Sequence, residues 1–293
     1  MKTRTLRTLA TALFGLVLLT GLLVPLSQTS QAAPPTEINS CTTISNPGKY
    51  KLVADLTYNP GPGPTGLPSA NTCITINADN VDLDLNGHTI TGLNGGADGT
   101  AGISISAKTK VDIKGPGVIT GFGRGFDIDG ITDSEVKDVT TTGNVYGFVV
   151  NNSTGTWLRG NTSTGNGQHG FTVNGGGDNK FMNNVSSNNG QIGIWLFAGT
   201  GDQVRSNTTN SNGRDGIRCG AGGVSTGHTI KDNTANGNGN WGINLASDAS
   251  GITVKGNSAQ SNILGDLVDA HLNCDNNTWI NNTFNTAIPS CIQ

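Results

Sequence analysis

Residue types that bind or transform an anionic sugar gather in the middle of this chain: His169, Trp195, Phe197, Arg214, Asp215, Arg218 and Trp241. An exposed aromatic ring takes the apolar face of a pyranose, and a guanidinium takes a carboxylate through two parallel hydrogen bonds. Proton abstraction beside a uronic carboxylate needs a base and a cation that holds the carboxylate. His169, Asp215 and Arg218 are the candidates for that catalysis, with Trp195, Phe197, Arg214 and Trp241 as ligand-binding residues. The competing reading is that a loop covers Trp195 and Phe197 while Arg214, Asp215 and Arg218 form a surface ion cluster. Hydrolysis needs two carboxylates at a set separation. Asp127 and Asp129 point outward from one segment, and no partner acid is evident on a neighbouring one. With Asn151 they are the one oxygen set that could take Ca²⁺; no other cofactor is expected. No Cys/His cluster has zinc spacing, and Met182 is the sole methionine beyond the leader, so a thioether copper site has no support.

The elements that position these residues come from a repeat. Asparagine, three residues, Gly or Asp, then a large apolar residue recurs at Asn166, Asn189, Asn212, Asn238 and Asn262, spaced by 23, 23, 26 and 24 residues. A second phrase, an apolar residue with Asn three positions on, recurs at Leu158/Asn161, Phe181/Asn184, Val204/Asn207, Ile230/Asn233, Val254/Asn257 and Trp279/Asn282. A period of this size means a solenoid with one coil per repeat. After each Gly, triplets such as Phe148-Val149-Val150 and Ile194-Trp195-Leu196 alternate in and out as strands do. Short strands joined by Gly/Asn turns read as a parallel β-helix, an all-β fold of about nine coils. Ile103, Phe126, Phe148, Phe171, Ile194, Ile217, Ile243 and Leu267 form one inward column. The recurrent Asn fits an inward turn ladder, bonding backbone and the Asn above and below.

One outward column is unexpected: Lys114, Lys137, Arg159, Met182, Arg205, Lys231 and Lys255. Six of these seven positions are basic in an acidic protein. Cations stacked ~5 Å apart repel unless something anionic lies along them. The stripe therefore reads as a polyanion groove, with Lys137, Arg159, Arg205, Lys231 and Lys255 as ligand contacts. It reads equally as a solvated edge that discourages sheet aggregation, partly neutralised by Asp112 and Asp138.

Residues 1–33 read as a secretory signal: Lys2, Arg4 and Arg7, an apolar run from Leu9 to Leu26, then Ser30-Gln31-Ala32-Ala33. No membrane span is expected after cleavage, which places the protein outside the cytoplasm as a monomer, secreted, cell-surface or periplasmic. The whole chain carries net charge −3, and three cations lie in the leader, so the remainder is near −6. That excludes nucleic acid as main partner, because phosphate binding needs a basic surface. The organisation expected is an N-terminal cap at 34–78, coils at 79–266, and a last coil with C-terminal cap at 267–293. Cys41–Cys73 and Cys274–Cys291 are expected as disulfides stapling the two ends. Cys219 is expected as a buried small hydrophobe. The run Asn59-Pro60-Gly61-Pro62-Gly63-Pro64 is expected as a surface excursion of the first segment.

The repeats, together with Ile74-Thr75-Ile76 and Asn80-Val81-Asp82-Leu83-Asp84-Leu85-Asn86-Gly87-His88-Thr89-Ile90-Thr91-Gly92, resemble those of the pectate-lyase-like superfamily of right-handed parallel β-helix repeat proteins. The resemblance spans roughly residues 38–293. It implies the fold, and it is compatible with lyases, hydrolases, epimerases and adhesins. Asp-Pro-His-Asp, a mark of related alginate epimerases, is missing, as is the polygalacturonase set apart from the fragment Gln168-His169-Gly170. Two functions follow as expectations. One is an exported protein that binds, and cleaves or epimerises as a polysaccharide lyase or uronate epimerase would, an acidic polysaccharide. The other is a non-catalytic surface or matrix protein.

Overall fold

The computed structural model describes residues 33–59, 71–93, 99–271, 273–274 and 276–292. Contacts divide the chain into Met1–Ala33 and Pro34–Gln293. The expected signal, apart from Ala33, and the Pro60–Pro64 run lie outside the described residues. Among those residues no helix is long and apolar enough to cross a membrane.

The second unit is a stack of short parallel strands on three faces. One coil shows the plan: Trp157–Arg159 on face A, Thr162–Thr164 on face C, Phe171–Gly177 on face B. Each strand pairs in parallel with its equivalent one coil away, as Leu158 does with Val136 and Phe181. Face A holds eleven strands, nine of them between Val81 and Ile280, in keeping with the coil number expected. The segment expected as an N-terminal cap contributes strands to all three faces: Gly48–Leu52 pairs with Val81–Asp84, Leu56–Tyr58 with Thr89–Gly92, and Thr42–Ile44 with Thr72–Ile76.

The inward column forms as the alternation requires. Phe126, Phe148 and Phe171 stack face to face, with centroids 4.8 and 4.6 Å apart. All three are fully buried, each contributing roughly 2–3 kcal/mol of burial. The repeat's glycine is required by close approach: a Cβ on Gly170 would lie 1.8 Å from Ser186 Oγ and 2.8 Å from the Gly193 carbonyl of the next coil. Departing from the pattern, Asp266 ends the ladder. Its Oδ1 accepts from the Asn262 backbone N–H and amide, the bonds that the next coil's Asn would otherwise supply.

Two asparagine ladders run along the corners. Asn161, Asn184, Asn207, Asn233, Asn257 and Asn282 line the corner from A to C. Asn144, Asn166, Asn189, Asn212, Asn238 and Asn262 line the corner from C to B. In each, Oδ1 accepts the backbone N–H and amide of the previous Asn, as Asn207 does from Asn184 at 2.8 and 3.0 Å. The amide also donates to a backbone carbonyl one coil back, here Phe181 at 2.8 Å. Buried backbone groups at the corners are thereby satisfied. Disulfides join Cys41–Cys73 and Cys274–Cys291. Cys219 is fully buried, and burial pushes its thiol up to about 12.

Candidate functional site

Face B carries the groove. Its outward column runs Ser104, Asp127, Val149, Thr172, Trp195, Arg218 and Asn244, strand to strand in register. Beside it a row of rings crosses three coils: Tyr146 to His169 at 5.7 Å, His169 to Trp195 at 4.9 Å edge-on, Trp195 to Phe197 at 4.9 Å edge-on. The concavity over this row is lined also by Arg124, Asn151, Thr172 and Asn174. Arg124 is held by Asp127 at 2.9 Å. Thr172 Oγ1 and Arg218 Nε, the positions flanking Trp195 in the column, are buried polar atoms without a protein partner.

His169 and Asp215 lie beneath this surface. His169 is 4% exposed, and its Nδ1 accepts the Ile192 backbone N–H at 3.2 Å. That leaves the proton on Nε2. Burial, then the charges of Arg214 and Arg218, draw its pKa down to about 4. Asp215 is fully buried. Its Oδ1 accepts the Trp241 backbone N–H, and its Oδ2 accepts from the Asn244 amide and Arg218 Nη1, the last at 3.4 Å. Neither residue presents a free basic lone pair to the groove. What Asp215 does here is aim Arg218, while Arg214 is exposed. Trp241 stands apart from the ring row and packs on the next coil, where a Cβ on Gly265 would lie 2.3 Å from its ring.

A loop at 220–224 packs against Phe197 and Trp195 at the end of the row. A Cβ on Gly222 would fall 1.8 Å from Phe197 Cζ, so the loop roofs Phe197. Trp195 Nε1 donates to the Gly220 carbonyl at 2.9 Å. The loop is pinned by Asp248, whose carboxylate accepts the backbone N–H of Ala221, Gly222 and Gly223 at 2.6, 3.0 and 3.2 Å. Those amides hold Asp248 below the usual carboxylate range against the opposing effect of burial. The covering loop weighed from sequence is therefore present over Phe197 and bonds Trp195, and both rings remain half-buried. The signal for it was the 26-residue spacing from Asn212 to Asn238, three longer than the two before it. Arg124, Tyr146 and Asp248 carried no such mark.

The basic column of face A is in register from Lys114 to Lys255. Its two halves differ. Lys114 sits 3.6 and 3.7 Å from Asp82 and Asp84, and Glu135 pairs with both Lys137 and Arg159. Burial, then Glu135 and Asp82, push the Asp112 carboxyl above its usual range. Further along, Lys231 meets Asp232 at 3.4 Å, and Arg205 and Lys255 have no carboxylate in ion-pair reach among the described residues. Lys180 caps the Trp157 ring at 4.1 Å.

Metal donors stay dispersed. His88 meets Asp55, His271 meets Asp269, and His228 lies in the interior with Asp202 and Ser225. Asp127 is taken by Arg124 and Asp129 by the Asn152 amide. Among the described residues no three His, Cys, Asp or Glu gather to hold an ion.

The family model described as "Periplasmic copper-binding protein (NosD)" matches residues 68–225. Among solved structures, the A-module of the Azotobacter vinelandii mannuronan C-5 epimerase AlgE4 is similar at 18% identity and TM-score 0.60, over 80% of this chain and 79% of that one. The periplasmic alginate epimerase AlgG is similar at 13% identity and TM-score 0.58, over 83% and 70%. No curated protein sequence matches. With the stacked parallel strands, these similarities make the fold a right-handed parallel β-helix.

Proposed function

This chain belongs to the family described as periplasmic copper-binding protein (NosD), and we propose that it works outside the cytoplasm as a binder of acidic polysaccharide. The observation that carries the reading is the half-exposed Trp195, set in a row of rings and flanked in its column by two buried, unpartnered polar atoms, Thr172 Oγ1 and Arg218 Nε. A ring stacks on the sugar, and Arg218, aimed by Asp215, takes the uronic carboxylate. Arg205 and Lys255 on face A, unneutralised by neighbours, extend attraction for a polyanion by long-range charge rather than by a pocket. Two disulfides and the leader-like N-terminus support an oxidising, extracytoplasmic location.

Binding is favoured over turnover because His169 and Asp215 have their basic lone pairs engaged or buried. Among the described residues the dispersed donors do not fit a copper centre. AlgE4 and AlgG, whose names give mannuronan and alginate, supply the first ligands to test. The experiment is calorimetric binding of alginate, polygalacturonate and a neutral glycan, with ultraviolet absorbance followed for unsaturated uronate. Salt-sensitive binding to the acidic glycans that is lost in Trp195→Ala supports the reading. Equal binding of the neutral glycan, or none at all, ends it. Product formation abolished in His169→Ala or Asp215→Ala would turn the binder into a lyase.

A further inference from the structure

We propose that face C is an ice-binding surface, independent of the glycan groove. Two outward columns run along it in register. One is Thr57, Thr91, Thr120, Thr142 and Thr164, closed by Ser187, which is buried and accepts the Asn210 backbone N–H. The other runs Thr89, Val118, Thr140, Thr162, Val185 and Thr208. Neither contains a charged or aromatic residue. The valines keep the shape and methyl groups of threonine, so every position in both columns but Ser187 is β-branched.

The hydroxyls face outward without work to do inside the protein. Inward on the same strands, Thr141 bonds Ser163 at 3.0 Å, and Ser163 bonds the Gly170 carbonyl. Among the described residues the outward hydroxyls of Thr91, Thr120, Thr142, Thr164, Thr140 and Thr162 have no hydrogen-bond partner. Two of its strands, Thr162–Thr164 and Val185–Ser187, lie between the two asparagine ladders, as Thr162–Thr164 lies between Asn161 and Asn166, each tied to the next coil. Pairing along the six-stranded sheet runs without a register shift.

The result is a rigid two-dimensional grid of methyl and hydroxyl groups. It repeats at ~4.8 Å along the stack and ~6.6 Å across each strand, two residues apart. Methyl groups restrict the water beside them, and hydroxyls anchor it by hydrogen bonds. A fixed grid of both orders first-shell water into a regular array, which is what joins a protein surface to an ice plane. A crystalline polysaccharide is a poorer occupant, because the stacking rings that would hold it are missing from these columns.

The test uses protein recovered after export, labelled and offered to a slowly growing ice ball, with thermal hysteresis and recrystallisation measured in parallel. The wild type is expected to enter the ice, shape crystals and slow recrystallisation. Thr142→Lys with Thr164→Lys should abolish all three with the circular dichroism spectrum unchanged, while Arg205→Ala on face A leaves them intact. Thr142→Val with Thr164→Val, which keeps shape and cannot fail to fold for want of space, should weaken them. Exclusion of the wild type from ice overturns the proposal. So does full ice entry by the double lysine variant, or retention on crystalline chitin or cellulose in place of ice.

Discussion

Two corners of the coil repeat one residue, asparagine, while the third corner does the same job with a mixture. Along the turn from face B to face A the column reads Ser134, Thr156, Asn179, Asp202, His228, Ile252 and Asn277. The bonds follow the ladder geometry: Thr156 N–H to Asn179, Asn179 N–H to Asp202, Asp202 N–H to His228 Nδ1, Ile252 N–H to Asn277. A ladder needs an acceptor for the previous coil's N–H, and amide, carboxylate and imidazole all supply one. Only the amide is also a permanent donor that never titrates. At the mixed corner Asp202 Oδ2 is left unpartnered, 3.4 Å from His228 Nδ1, and Thr156 Oγ1 is unpartnered too. His228 continues through Ser225 to Cys219, at 3.0 and 3.2 Å. The coil that breaks the repeat length thus also carries the buried His228 and Cys219 in its interior.

The largest expected effect is on the regular side. Asn207→Ala removes the acceptor for Asn184 and the donor to Phe181 O. With at least two buried groups left unpaired at ~1–3 kcal/mol each, denaturant unfolding should show a loss of about 3 kcal/mol or more. A loss below about 1 kcal/mol would mean that the ladder is decoration.

Acid should separate the corners next. Burial draws His228 from 6.5 down to about 4, and His169 likewise. The unfolded chain then binds more protons between those values, so their stabilising contribution is lost as pH falls from about 6.5 to 4. Burial raises Asp202 from 3.8 to about 6, giving stability that is present below 3.8 and lost as pH rises through 6. In the wild type this offsets one histidine. Melting measured from pH 7 to 4 should fall, more steeply in Asp202→Asn and less steeply in His228→Asn. Asp202→Asn should also be the more stable of the pair at pH 7, since it removes a buried carboxylate. Identical pH profiles for all three proteins would remove the distinction between corners.

The binding surfaces give the smaller effects. Trp195→Ala should weaken acidic-glycan binding by roughly 2 kcal/mol, about thirtyfold. Gly222→Ala, which drives a methyl into Phe197, should cost ~1 kcal/mol of stability and less in affinity than Trp195→Ala. Arg205→Ala should change affinity least, within ~1 kcal/mol, and the change should vanish in high salt.

Much of this was legible in advance. The inward column from Ile103 to Leu267, the burial of Cys219 and the register of the basic column follow from a period near 23 and a strand's alternation of two, and both disulfides from the cysteines that bracket the first and last segments of an exported chain. The third corner was not legible, because Ser134, Thr156, Asn179, Asp202 and His228 share no residue type, only a capacity to accept a hydrogen bond. The groove was legible in part. Trp195, Phe197 and Arg218 do stand on face B, but His169 and Asp215 sit where the chain turns inward just before the repeat glycine. Period alone does not say which way such a position faces.

Repetition by itself determined the solenoid, since each coil must bury its apolar face against the next and identical coils do so with identical contacts. Tertiary structure decided the rest. It decided which cations are cancelled, because Glu135 reaches Lys137 and Arg159 while no carboxylate among the described residues reaches Arg205. It decided that a loop folds over Phe197, because Asp248 lies one coil further on and three amides converge on it. Apart from Glu135–Lys137, those contacts join residues 24 to 27 positions apart, and their strength depends on distance and burial, which a linear spacing does not contain.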